Sequence, residues 1–373
     1  MARTRIVIVG GGLAGLVASI HLQRAGLSCT VLERGQYPMH RVCGEYVSNE
    51  VVPYLASLGA YPEALKPSQI KRFQLTSTSG TPAMLTLDLG GFGISRYAFD
   101  YFLFRLAQQL GVNVQPETEV TKVTLEGEVF SVETSRDHVE ADVVLGAYGK
   151  RSRLDKTIDR TFVSRHSPYV GVKYHVRCPE IPDDLIALHN FYGGYCGVSQ
   201  VEDQTVNLCY LTHRDNVRAY GNLRAMEEGV LFRNPVLARI FDRSTFITEK
   251  PETINEISFQ TKSPVDNHIL MCGDAAGMIA PLCGNGMALA IHSAKIASEH
   301  VIRFSQDPAY SRAQLETDYA RAWKKRFALR LWAGRKIQRL FGGGRASEMA
   351  VAMANHTKPI AYRLMKMTHG SPF

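Results

Sequence analysis

Arg5–Glu33 reads RIVIVGGGLAGLVASIHLQRAGLSCTVLE. Arg5–Val9 is a short β-branched run of the kind a buried parallel strand requires. Gly10–Gly15 is a turn, Leu16–Ala25 reads as a helix closed by Gly26, and Cys29–Leu32 is the next strand. This spacing predicts a βαβ unit in about 30 residues. Within the turn, Gly10, Gly12 and Gly15 form G-x-G-x-x-G. The three glycines serve a tight turn, close approach of backbone to a pyrophosphate, and close helix–strand packing. The N–H groups at the helix start then face the phosphates. Glu33 ends the second strand, where a carboxylate accepts hydrogen bonds from both ribose hydroxyls of an adenosine. Arg34 would suit a 2′-phosphate, but Glu33 repels one, so NADP is disfavoured at this turn.

Further along, Tyr97–Leu110 reads as a helix ended by Gly111. Val112–Gln115, Val120–Glu126 and Glu128–Thr134 read as strands, and Ala141–Leu145 as another buried one. Between 160 and 260 the pattern changes to alternating strand-like runs, many aromatics and a helical patch around 215–242. Ile269–Cys272 is a last buried strand, followed by a glycine turn and a helix from about Gly286 to Phe304. Residues 309–369 are helical in pattern. No internal repeat is visible.

At about 150 residues per domain, 373 residues suggest two or three domains, and 45% hydrophobic residues exclude a disordered chain. The seven Cys (29, 43, 178, 196, 209, 272, 283) show no metal-ligand spacing, so neither a metal site nor a disulfide scaffold is expected. Residues 321–345 carry nine Lys/Arg (Arg321, Lys324, Lys325, Arg326, Arg330, Arg335, Lys336, Arg339, Arg345) and no acid. Subtracting nine from the net +8 leaves −1 for the rest, so nucleic-acid binding is not expected. The glycine-broken run Ile6–Gln23 does not suit a cleaved signal, and Ala275–Ala294 holds Pro281 and three Gly, poor for a spanning helix. A cytoplasmic protein follows as the expectation.

Residues 270–290 read LMCGDAAGMIAPLCGNGMALA. With this segment the chain resembles para-hydroxybenzoate-hydroxylase-type flavoproteins, and within them the geranylgeranyl-reductase-like branch. The resemblance spans roughly residues 1–305. It implies an α/β architecture: a Rossmann-like FAD-binding domain of the glutathione-reductase type (1–70, 93–160 and 260–305), an inserted α+β substrate domain (71–92 and 161–259) and a basic helical C-terminal region (306–373). In that family a Gly-Asp pair follows the last strand and its Asp holds the ribityl chain; here it is Gly273-Asp274. Pro281 and Gly284-Asn285-Gly286-Met287 would form the loop and helix start beside the isoalloxazine. Arg41-Val42-Cys43-Gly44-Glu45 resembles the family segment near the flavin, and Gly93-Ile94-Ser95-Arg96 with Asp100 resembles a helix start whose Arg contacts FAD. The resemblance also assigns Leu13, Ala14, Val120, Tyr148 and Gly149 to the cofactor site. Leu145-Gly146-Ala147-Tyr148-Gly149-Lys150-Arg151-Ser152 stands where the family has G-A-D-G. Tyr148 replaces that Asp, so NAD(P)H remains open as electron donor.

The implied activity is an FAD-dependent oxidoreductase acting on an apolar isoprenoid, polyketide or aromatic substrate by hydride transfer through flavin N5. The rival is a monooxygenase using O₂ at flavin C4a; a third reading is a carrier-interaction module that keeps its flavin. A halogenase is disfavoured, since W-x-W-x-I-P is missing and both Trp, 323 and 332, lie in the basic segment. Candidate catalytic residues are Cys43, Glu45 and Tyr195, with His40 and Tyr46 as further acid/base candidates. Cys43 reads equally as a small buried residue. His189–Gly197 (HNFYGGYCG) resembles the aromatic cavity strand of the reductase branch; Phe191, Tyr192 and Tyr195 suit an apolar ligand, and Gly193-Gly194 suggests close approach of ligand or backbone. Trp323, Phe327 and Leu331 recur every four residues among cations. They predict either a docking helix over the flavin domain or peripheral contact with an anionic membrane through 321–345.

Overall fold

Ile6–Val9 is buried at every position, and it forms the centre of the first sheet. It pairs in parallel with Cys29–Leu32 on one side and Val143–Gly146 on the other. Asn113–Gln115 and Ile269–Met271 extend the parallel sheet, and Val265–Asp266 closes one edge antiparallel, giving six strands. Parallel strands covered on both faces have no polar side, which is why their sequences are continuous apolar runs rather than alternating ones. Helix Leu13–Arg24 packs against helices Arg96–Gln109 and Gly286–Gln306. The computed structural model describes residues 4–150, 152–158, 160, 167–255, 260, 262–338, 341 and 343–373. Arg151 and Arg339 lie outside these.

The second sheet has nine strands. Tyr169–Arg177, Val206–His213, Gly194–Gln200 and Leu185–Phe191 run antiparallel in that spatial order. Leu185–Phe191 then pairs in parallel with Ser68–Thr76, which pairs with Pro82–Gly93 and, through it, with Tyr46–Ser48. One face carries Val172, Tyr174, Phe191, Val198 and Tyr210 and packs under the helices spanning Arg214–Arg243. The opposite face looks toward the first sheet. A small antiparallel sheet, Val120–Glu126, Val129–Thr134 and His138–Ala141, stands beside them.

The C-terminal region is three helices, Arg312–Gln338, Gly344–His356 and Lys358–Thr368. The second break follows from Pro359 at the start of the last helix, a residue that cannot continue a preceding turn. Trp323, Phe327 and Leu331 are 3%, 0% and 6% exposed, so the apolar stripe of the basic helix docks inward. No helix among the described residues is long and apolar enough to cross a membrane. Because Phe327 is fully buried, Phe327→Ala is expected to destabilise the protein by about 3–5 kcal/mol; equilibrium urea unfolding measures this.

Candidate functional site

The glycine turn is built by close backbone contacts. Gly10 has φ +103°, and a Cβ there would lie 2.6 Å from the Ala147 carbonyl oxygen. A Cβ on Gly15 would lie 2.0 Å from the Gly10 carbonyl oxygen. Only glycine lets the turn fold over its own helix this tightly. Glu33 is 4% exposed; its carboxylate accepts from the N–H of Gly11 (2.8 Å) and of Gly35 (2.9 Å) and faces Arg41 at 3.4 Å. The Arg96 guanidinium forks onto Asp100 (2.8 and 2.6 Å), within 3.4 Å of where a Gly12 Cβ would stand.

These groups open into one cavity of about 780 Å³ between the two sheets. Gly10, Gly12, Leu13, Ala14, Glu33, Arg34, Arg41, Cys43, Gly44, Arg96 and Val120 line it, as do Tyr148, Gly149, Gly273, Asp274, Pro281, Gly284, Gly286 and Met287. Gly15 and Asn285 do not. Gly15 is consumed by packing on Gly10, and the Asn285 amide turns away to donate to Glu50 (2.8 Å) and to the Thr368 carbonyl (3.0 Å). The Asp274 carboxylate makes no hydrogen bond or ion pair among the described residues; burial pushes its pKa up, against the pull of Lys262 and Lys150. A half-buried carboxylate that lines the cavity without a protein partner among the described residues is open to donors from a ligand, and ribityl hydroxyls supply them. The Tyr148 hydroxyl donates to Asp155 (2.9 Å) and accepts from Arg160 (3.2 Å). Arg160 also donates to the Ala275 carbonyl (2.9 Å), so this pair of charges anchors the Gly273–Ala275 turn.

Glu45 is fully buried with φ +54°, a backbone region that a non-glycine residue enters only when its surroundings compel it. Its carboxylate takes Lys173 Nζ at 2.5 Å, His175 Nε2 at 2.6 Å and the Arg96 N–H at 2.9 Å. Burial alone would raise its pKa; Lys173 and His175 outweigh that and hold it below the ordinary value. Lys173 Nζ donates in addition to the Arg41 carbonyl at 3.2 Å. Lys173 and His175 lie two apart on one strand and so share a face.

Cys43 and Tyr195 line the same cavity. Burial pushes both the thiol and the phenol up, so each stays protonated at neutral pH. The Tyr195 hydroxyl is buried and faces the Leu282 backbone without a well-directed hydrogen bond. The aromatic wall is otherwise corrected. Phe191 points to the opposite face, into the second core, and Tyr192 is 67% exposed on the hairpin turn. Strand alternation explains this: Tyr195 pairs with Asn190 and Gly194 with Phe191, so Phe191 and Tyr195 fall on opposite faces. A Cβ on Gly194 would strike the Leu211 carbonyl (2.1 Å) and the Phe191 ring, so the close approach there is to the protein's own backbone and ring.

Two parts of the site escaped the sequence reading. Lys150 lines the cavity with its pKa brought down to about 8, by burial first and against the pull of Asp274. The roof is the C-terminal region: Ile337, Phe341, Met353, Leu364 and Met365 face the cavity. The alternating Met and Ala of Gly344–His356 were the available signal, since Met-rich faces suit irregular apolar ligands.

A six-stranded parallel-centred sheet, a glycine turn beneath a buried acid, and a second glycine turn carrying a free carboxylate define a flavin-dinucleotide-binding oxidoreductase. Residues 3–307 match the FAD binding domain family, and the chain belongs to it. Its cofactor is FAD, and it is an FAD-dependent oxidoreductase of the para-hydroxybenzoate-hydroxylase type. It is 25% identical over 341 residues to digeranylgeranylglycerophospholipid reductase 1 of Methanopyrus kandleri, covering 86% of each chain. It is 24% identical over 320 residues to tryptophan 2-halogenase of Chondromyces crocatus, covering 80% of this chain but only 61% of the halogenase. A geranylgeranyl bacteriochlorophyll reductase-like structure from Thermoplasma acidophilum superposes with TM-score 0.78 at 17% identity, over 97% of this chain and 94% of that one.

Because Glu45 has a lowered pKa when folded, the stability it contributes is complete above its ordinary pKa of 4.5 and is lost as the pH falls through the folded value. Lys173→Met removes the main charge that lowers it and leaves a buried carboxylate short of a partner. Chemical denaturation is expected to register a loss of about 3–5 kcal/mol at pH 7, and this deficit against the parent narrows as the pH falls and Glu45 takes up its proton.

Proposed function

We propose that the protein moves a hydride between FAD and an apolar substrate of isoprenoid, polyketide or aromatic class. The observation that carries this is the continuity of the cavity: it runs from the glycine turn past Asp274 to an apolar chamber walled by Leu75, Leu85, Leu188, Leu211 and Phe341. Bound FAD supplies hydride chemistry at its N5. The chain's own residues do the rest. Gly10–Gly15 and the helix start bind the diphosphate, Glu33 the adenosine ribose, and Asp274 the ribityl hydroxyls. The leucine wall and the C-terminal roof bind the substrate and exclude water. Cys43 and Tyr195 each hold a proton at the cavity, ready for the carbon next to the one that gains a hydride. Glu45, held ionised, is a poor proton donor; its role in this reading is to fix the Arg41–Glu45 segment against the flavin edge. For residues 321–345 the buried stripe favours docking over membrane contact.

The test is anaerobic reduction of the flavin-loaded protein by NADH, NADPH or dithionite, followed by a panel of apolar unsaturated substrates with and without O₂. Turnover without oxygen is expected; products formed only with oxygen, carrying a new hydroxyl, would transfer the assignment to the monooxygenase. Cys43→Ala and Tyr195→Phe, run in the same assay with flavin occupancy checked by absorbance, are expected to slow substrate reduction by roughly 10²-fold or more in the variant that has lost the proton donor, leaving flavin reduction by dithionite unchanged.

Lys150 gives a pH-dependent expectation. Its ammonium deprotonates as the pH rises through about 8, and a cation beside the cofactor's acidic groups favours binding. FAD affinity should therefore weaken as the pH passes about 8. Lys150→Met should bind FAD roughly tenfold more weakly at pH 7, as losing a charge-assisted contact of about 1.5 kcal/mol implies, and should not show that pH step. Fluorescence titration of the apoprotein measures both.

A further inference from the structure

A second cavity, of about 540 Å³, opens beside the apolar chamber and shares Tyr46, Leu87, Met365 and His369 with it. Its chemistry is the opposite of its neighbour's. Lys325, Arg326 and Arg330 enter it from the long C-terminal helix, Lys366 from the last one, and His292 from the helix after the second glycine turn. The acids near these cations are Asp88, 3.1 Å from Lys366, and Glu50, 2.7 Å from Arg330. Four cations against two carboxylates leave a charge of +2. Lys325 and Arg326 have no ion-pair partner among the described residues. Two polar side-chain atoms in the wall are also stranded: Arg330 Nη1 and Nδ1 of His292, whose ring is 6% exposed, are buried without a hydrogen-bond partner among the described residues. The His292 pKa is pushed down to about 3 by burial and by Arg330, Arg326 and Lys295, in keeping with the positive field.

A charge of +2 in a half-enclosed space is matched by a dianion rather than by a carboxylate. We propose that this cavity binds a dianionic phosphate group, either as free phosphate or as the polar end of a ligand whose apolar body lies in the adjoining chamber. Lys325, Arg326 and Lys366 surround its oxygens, with Arg330 and His292 in the wall behind them. The tethered form rests on the reading of the apolar chamber as the substrate site; the phosphate site itself does not.

The experiment is calorimetric titration of the flavin-loaded protein at pH 7.5 and constant ionic strength with inorganic phosphate, dodecyl phosphate and dodecanol. Two variants leave the flavin cradle untouched: the double variant Lys325→Ala/Lys366→Ala, and Asp88→Asn. Phosphate binding that weakens about tenfold in the double variant and tightens about two- to threefold in Asp88→Asn is expected from removing two charges and one opposing charge. Dodecyl phosphate binding more tightly than both phosphate and dodecanol, with only its phosphate-dependent part lost in the double variant, supports the tethered form. Phosphate binding without that advantage supports the free form. If neither phosphate compound binds, or if binding ignores both variants, the proposal is overturned. Dodecanol binding reports on the apolar chamber separately, so failure of the phosphate site and failure of the substrate reading are told apart.

Discussion

A buried carboxylate must be matched by charge or it will not stay charged, and Glu45 is matched from the other side of the molecule. Its partners Lys173 and His175 belong to the nine-stranded sheet, and its third donor is the first N–H of the helix that starts at Arg96. Three elements therefore meet on one side chain: the segment that follows the βαβ unit, the inserted sheet and a flavin-domain helix. Glu45 also holds a left-handed backbone conformation. Such strain persists where surrounding contacts over-determine it. The carboxylate sets the separation of the two sheets, and that separation is the cavity.

A second tie runs parallel to it. Glu202 accepts from the Ser95 N–H at 2.7 Å and also from its hydroxyl, while the Ser95 hydroxyl accepts from the Ala98 N–H as the cap of the same helix. Between these ties the cavity has two kinds of wall. One side is glycine backbone and a few charged groups; the other is mostly leucine, isoleucine, methionine and aromatic side chains. Environment then assigns roles. The same burial that raises the Cys43 thiol and the Tyr195 phenol is overcome at Glu45 by Lys173 and His175. Two groups keep their protons and one gives its proton up, within one enclosed space.

The C-terminal helices change what the basic segment means. Its apolar stripe is spent on the helix following the second glycine turn, where Phe327 meets the His292 ring edge-on at 5.3 Å. Part of its charge is directed inward as well, through Arg330 onto the buried Glu50. The segment that reads as either a docking helix or a membrane contact is docked here as a structural roof, and three of its cations, Lys325, Arg326 and Arg330, line one cavity.

Short-range rules were sufficient for the two nucleotide turns, because a glycine demanded by a backbone contact a few residues away leaves its mark within a few residues. The β-branched strand before Gly10, the acid at Glu33 and the Gly273-Asp274 pair are all such marks. The helices at 96–109 and 286–306 were legible from periodicity, within a few residues at their ends. Nothing local reveals that Lys173 belongs to Glu45, 128 positions earlier, or that Phe191 and Tyr195, four apart across a hairpin, face opposite ways. Which face of a strand meets which neighbour is settled by how sheets stack, and a residue's charge state by what is buried around it. The apolar chamber's roof, the placement of Lys150 beside Asp274 and the basic cavity exist only once distant segments are packed, because each is a property of enclosed space and not of chain order.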